Sequence, residues 1–205
     1  LAANPQYPQL LNQFDAKVAP LIIGIGYDSN KSYEVEKRTR DLTPKADSEE
    51  FSKGGGADAF YYFLTKNLVP LIDEKFNVQG SQKSLYGHSF GGLFTLYALL
   101  KNDGVFSNFF IASPSLWWGE SEILKQNVSE AKFKEKLKAK FVFLSVGELE
   151  KRKGKTDKAG ILKASDLAQI LKQSGVNSHF ELFENETHGS VIPLNLKELL
   201  KYLKD

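Results

Sequence analysis

Gly87-His88-Ser89-Phe90-Gly91 fits the pattern G-x-S-x-G, in which a serine at the apex of a sharp strand-to-helix turn presents its hydroxyl as a nucleophile. The apex backbone is strained, and side chains two positions to either side would collide, so both flanking positions are glycine. The pattern alone carries modest information. Its surroundings carry more: Ser84-Leu85-Tyr86 reads as a short strand, and Leu93-Phe94-Thr95-Leu96-Tyr97-Ala98-Leu99-Leu100 as an almost uninterrupted apolar helix. The inert alternative is a glycine-rich turn with an idle serine. Strand, turn and buried helix in that order favour an activated one.

A serine hydroxyl is a poor nucleophile until a histidine takes its proton, and that histidine needs an orienting group. The chain has three histidines. His88 adjoins the serine and points elsewhere in a tight turn; His179 falls inside a predicted strand, where a structural or surface role suffices. His188, in Glu186-Thr187-His188-Gly189 just past the last predicted strand, is the candidate base. With the order serine, acid, histidine, the acid should follow the strand at 141–146. Gly147-Glu148-Leu149-Glu150 offers two carboxylates there, and Glu150 is favoured because the acid commonly comes three residues after the glycine. Glu148 and Asp157 are the alternatives, and both glutamates could instead be solvated loop groups. The oxyanion hole takes the N–H of Phe90. Its second donor normally comes from the turn after an earlier strand; Gly26 and Tyr27 lie at a predicted strand end, though not that of the strand which normally supplies it.

Other signals are softer. Trp117 and Trp118 follow Ser113-Pro114-Ser115-Leu116 and could stack on a planar substrate or pack under a loop. Arg38 and Arg40 could reach an anion or pair with Asp41. Residues 151–158 carry five basic residues and one acid, read either as a solvated loop or as a steering patch for an anionic substrate. No metal-ligand spacing and no phosphate-cradling glycine loop is present, so no cofactor is expected.

The elements that must position these residues alternate between strand and helix. A helix ends near residues 9–14, and residues 20–26 read as a buried strand. Residues 27–56 read as a long polar loop closed by Gly54-Gly55-Gly56. Phe60, Phe63, Leu64, Leu68, Leu71 and Ile72 mark an amphipathic helix over 57–76, with Pro70 a kink or break. After the serine turn come a buried strand at 109–112, a charged helical stretch at 120–138 and a strand at 141–146. A helix at 161–174, an edge strand at 179–183 and a helix at 194–203 complete the chain. The alternation predicts one α/β domain over 1–205 with a doubly wound, mostly parallel sheet.

Composition narrows the partners. With 27 Lys and Arg against 25 Asp and Glu, a net charge of +2 makes no case for a nucleic-acid partner. No apolar run approaches the ~18 residues of a membrane helix. The absence of cysteine excludes disulfides and thiolate chemistry; it fits a bacterial periplasmic or secreted protein and leaves the cytoplasm open.

Taken together, these blocks resemble the putative-esterase (esterase D-like) family of α/β-hydrolases, nearest its siderophore-esterase branch. The likeness rests on Ile23-Gly24-Ile25-Gly26-Tyr27, Arg40-Asp41-Leu42-Thr43-Pro44, the 54–56 glycines, the serine turn, Ser113 to Trp118 and Gly147-Glu148-Leu149-Glu150, in family order. The resemblance implies an α/β-hydrolase fold with Ser89 as nucleophile and His188 as base. Some members of the branch work with a serine–histidine pair alone. It further implies a serine carboxylic-ester hydrolase acting on a small-molecule ester such as a siderophore trilactone. A general acyl or feruloyl esterase, a thioesterase, and a non-catalytic binding module on the same scaffold are the alternatives. In that family a further strand with its Asp-Gly turn precedes the segment at 21–26 and lies between it and the strand before Ser89. The chain is therefore expected to lack its N-terminal strands, as the C-terminal portion of a longer polypeptide with about 50 to 100 residues ahead of it.

Overall fold

Among the described residues, short β-branched and aromatic runs separated by helices produce four parallel strands. The structure is a computed structural model that describes residues 20–31, 33–127, 137–151 and 160–203. The strands are β1 (Ser84–His88), β2 (Asn108–Ala112), β3 (Phe141–Gly147) and β4 (Ser178–Phe183), in the order β1-β2-β3-β4. In the register, Tyr86 faces Phe110, Phe110 faces Phe143, and Phe143 faces His179. Consecutive side chains leave opposite faces of a strand. Phe109, Ile111, Val142 and Leu144 therefore enter one apolar core, while Phe110 and Phe143 face the other way.

The α-helices of the described residues, in chain order, are α1 (Val35–Leu42), α2 (Ala57–Tyr62), α3 (Val69–Phe76), α4 (Phe90–Lys101), α5 (Glu122–Asn127), α6 (Ala164–Gln173) and α7 (Val191–Tyr202). Helix α4 packs on β1 and β2 and is covered outside by α1 and α2. That burial explains why Gly92, Leu93, Phe94, Thr95, Leu96, Ala98 and Leu99 are all enclosed and the helix has almost no polar side. Helix α6 adds Leu167 and Leu171 to the same core. Helix α7 covers the opposite face, where Tyr202 packs on Phe141 and Phe143, and Asn195 pairs with the Ser145 hydroxyl. The sheet is thus wound on both faces, as expected.

Four expectations are corrected. Residues 21–25 form no strand; Leu21, Ile22, Ile23 and Ile25 are 41–50% exposed, and β1 is an edge of the sheet among the described residues. An apolar β-branched run has strand propensity, but a strand needs a ladder partner, and among the described residues none pairs with it. The polar stretch at 27–56 contains α1 and a 3₁₀ turn at Glu49–Phe51. No residue of α1 is buried, so hydrophobic periodicity could not mark it. Pro70 does not break the helix: a π segment at Phe63–Leu68 precedes α3 and absorbs the missing N–H. The extra residue per turn rotates the apolar face, leaving Phe63 and Leu71 exposed and Tyr61 and Leu64 buried. The charged stretch at 120–138 is helical over 120–127, through a 3₁₀ turn at Trp118–Ser121 and α5, and among its other described residues only its end at 137–138 departs from the expectation, with no regular structure. The helix near 9–14, residues 128–136, Asp157 and all of 151–158 except Lys151 lie outside the described residues.

Candidate active site

Four consecutive strands point their C-terminal ends to one rim of the sheet, where open parallel sheets hold ligands. Each end delivers one part of the site. β1 ends at Ser89, whose φ of 64° and ψ of −119° lie in the sparsely populated positive-φ region. Its N–H donates to the Ala112 carbonyl at 3.1 Å, and its own carbonyl accepts from Ser115 N–H at 3.2 Å, so the neighbouring β2 end holds the strained turn from both sides.

The glycines of the turn are not equivalent. A Cβ on Gly87 would meet the Gly91 carbonyl oxygen at 2.1 Å, so this glycine is required. On Gly91 a Cβ would meet nothing within 4 Å. The crowded position is Gly92, where a Cβ would lie 2.5 Å from the Ala112 oxygen and 3.1 Å from Pro114 Cα. The expected collision on both sides of the serine is corrected accordingly: the helix is pressed against the β2 turn one residue later than the pattern implies.

β3 ends in Gly147, and the next three residues turn back so that Glu150 points inward. Its Oε1 accepts from Gly147 N–H at 2.7 Å and from the Ser113 hydroxyl at 2.5 Å, while its Oε2 meets His188 Nδ1 at 2.7 Å. Burial pushes the Glu150 carboxyl up, but these three donors outweigh it and hold it below the usual range. Glu148 points away and accepts from Asn185 N–H at 2.9 Å. Leu149 N–H donates to the Glu186 carbonyl at 2.9 Å, which ties the acid loop to the loop that carries His188.

After β4, His188 sits just ahead of α7. Its Nε2 lies 3.0 Å from Ser89 Oγ, across 99 residues of sequence. Because Nδ1 faces a carboxylate, it carries the proton, and Nε2 is left as an acceptor for the serine hydroxyl. Ser89, His188 and Glu150 are thus joined in one hydrogen-bonded chain.

His88 lies under this chain. Its ring is 4.6 Å from the His188 ring, and its Nε2 is buried without a hydrogen-bond partner. Burial first, then the neighbouring His188, push its pKa down to about 4, so it is neutral near pH 7. Arg38 Nη2 donates to the His88 carbonyl at 3.4 Å, and burial lowers the Arg38 pKa. His179 stands apart, stacked on Phe143 and paired with Glu181 at 2.9 Å.

The remaining candidates separate. Arg40 is exposed and paired with Asp41 at 2.6 Å, away from the chain of hydrogen bonds. Trp118 is buried, donates to the Pro44 carbonyl at 2.9 Å, and packs on Phe51 and Phe90. Its place against Gly54, where a Cβ would approach the indole to 2.3 Å, is a packing role. Trp117 lines a shallow groove with Ser115, Lys151 and His188. Phe90 begins α4, whose first N–H groups have no partner inside the helix and face the rim. The Tyr27 hydroxyl donates to Asp41 at 3.0 Å, and Tyr27 belongs to no strand. Sequence reasoning assigned no site role to Ser113, Ser115 or Gly92. Ser113 and Ser115 belong to one of the blocks that carry the family resemblance, but neither the positive φ of Ser113 nor a hydroxyl contact leaves a spacing signal that would give them a role.

Comparison with known proteins fits this arrangement. The family described as Putative esterase matches residues 8–190. The apo-salmochelin esterase of Escherichia coli is 31% identical over 204 residues, covering 94% of this chain and 63% of that protein. The ferri-bacillibactin esterase BesA of Bacillus subtilis is 27% identical over 195 residues, covering 90% of this chain and 67% of that protein. Among solved structures, the BES protein of Bacillus cereus superposes with a TM-score of 0.73 at 33% identity, over 88% of this chain and 68% of that one. The chain spans about two thirds of the length of the curated relatives it matches.

Proposed function

The chain belongs to the Putative esterase family, and from that membership we propose that it hydrolyses carboxylic esters through an acyl-serine intermediate on Ser89, with siderophore esters as the substrate class. The observation that carries the reading is the unbroken chain from Ser89 Oγ through His188 to Glu150, with links of 3.0 and 2.7 Å.

In this mechanism His188 Nε2 takes the hydroxyl proton as Ser89 Oγ attacks the ester carbonyl. Glu150 stabilises the imidazolium that forms, and it stays ionised because Ser113 and Gly147 also donate to it. The developing oxyanion is received by the N–H of Phe90 at the start of α4. His188 then returns the proton to the leaving alcohol, and a water activated by the same nitrogen releases the acid. His88, neutral beside the base, adds no second positive charge to the imidazolium.

The siderophore assignment is supported by the relatives' names and by the rim. Lys151 brings positive charge to the groove beside His188, which suits an anionic ester, and the buried Trp117 forms part of the groove's apolar wall. Turnover on siderophore lactones against simple acyl, feruloyl and thiol esters tests it. The proposal expects siderophore lactones to show the highest kcat/KM; a preference for simple acyl esters would leave the mechanism and overturn the substrate.

A further inference from the structure

The turn after β2 touches both ends of the hydrogen-bonded chain. Ser113 holds a φ of 44°, a left-handed conformation that a non-glycine residue keeps only when its surroundings hold it. Its N–H donates to the Ser145 carbonyl at 2.8 Å, and its hydroxyl donates to Glu150 Oε1 at 2.5 Å. Two residues later, Ser115 N–H donates to the Ser89 carbonyl, and Ser115 Oγ lies 3.4 Å from Ser89 Oγ. Pro114 fixes the backbone between them. Both serines are 2% exposed, so the protein itself must satisfy their hydroxyls.

The directions of these bonds follow from their partners. An ionised Glu150 can only accept, so Ser113 donates. The Ser89 proton is directed to His188 Nε2, which leaves Ser89 Oγ an acceptor for Ser115. We propose that Ser113-Pro114-Ser115 is a two-pronged positioning element for the esterase site, with Ser113 orienting the carboxylate that aims His188 and Ser115 holding Ser89 Oγ in line with the base.

The inference rests on the esterase reading, and its two prongs have different signatures. The His188 ring is faced by Glu150 and His88, with Arg38 beyond His88 and Lys151 lining the same groove. Ser115 bears on Ser89 and none of these charges. Losing its hydroxyl therefore slows the nucleophile without changing the titration of the base. Losing the Ser113 hydroxyl concentrates the Glu150 charge on His188, which then holds its proton to higher pH.

The test is the rate of inactivation by a fluorophosphonate probe across pH, with Ser89→Ala as the blank. Ser113→Gly is the better variant than alanine, because glycine accepts a φ of 44°. It should move the acid limb of the profile upward by about half a pH unit. Ser115→Ala should slow labelling about 10-fold at every pH with the limb in place. Ser115→Cys, which keeps the volume and a weaker donor, should fall between. An unmoved limb in Ser113→Gly overturns the proposal. So does wild-type labelling in Ser115→Ala, or Ser115→Cys no faster than Ser115→Ala. If the wild type labels no faster than Ser89→Ala, the esterase reading fails and the positioning role with it.

Discussion

The Gly147 amide donates to Glu150 Oε1 at 2.7 Å, closing a three-residue turn that aims the other carboxylate oxygen at His188. A side chain at Gly147 would push its Cβ to 2.5 Å from the Glu186 carbonyl oxygen, so the glycine also allows the acid loop and the base loop to touch.

That turn separates the two glutamates by function. Glu150→Gln should lower kcat by about 10⁴-fold, because the amide can no longer anchor the productive tautomer of His188. Glu148→Gln keeps an acceptor for Asn185 N–H and should change kcat less than about 3-fold. Steady-state kinetics on one ester checks both. A small effect of Glu150→Gln would mean that the serine–histidine pair works alone.

Crowding at the serine turn predicts opposite outcomes for adjacent glycines. Gly92→Ala forces a Cβ into the β2 turn and should destabilise the fold by about 1–3 kcal/mol. Gly91→Ala meets open space in a helix and should be neutral or stabilise by about 0.5–1 kcal/mol. Urea unfolding midpoints read the difference. Equal losses would contradict the geometry.

His88 makes the fold acid-sensitive. Its pKa falls from 6.5 in the unfolded chain to about 4 in the folded protein. The unfolded chain therefore binds the proton more readily, and stability is lost as pH drops from about 6.5 toward 4, by about 3 kcal/mol at the limit. Glu150 acts in the same sense at lower pH, since a depressed carboxyl stabilises above its unfolded pKa and that contribution is lost as pH falls through its folded one. His88→Gln removes the first window and keeps the second. Its urea midpoint should change less than the wild type's between pH 7 and 4.5, and parallel curves would exclude His88 as the source.

Much of the site could be read from the chain because strands and their exits leave local patterns. Ser89, His188 and Glu150 each follow a strand that its own apolar run identifies, and a parallel sheet brings such exits to one rim. Where the reading failed, stability came from partners far away in sequence. Residues 21–25 carry every local mark of a strand and lack a ladder among the described residues. Helix α1 carries no apolar stripe and forms against α4. Trp117 and Trp118 are adjacent in the chain, yet one lines the groove and the other packs under Pro44, a distinction set by which side of a turn each leaves. Ser113 and Ser115 act through backbone strain and hydroxyl contacts, which sequence patterns do not encode.

Every step of the proposed chemistry passes through Ser89, and one measurement reaches it directly: peptide mass analysis after reaction with a fluorophosphonate probe, paired with turnover of an ester by the same preparation. The adduct should fall on the peptide bearing Ser89 in the wild type and be absent in Ser89→Ala, whose turnover should drop on the order of 10⁶-fold with the fold intact. A folded Ser89→Ala protein that keeps more than a few per cent of the activity, or an adduct on another residue, would contradict it.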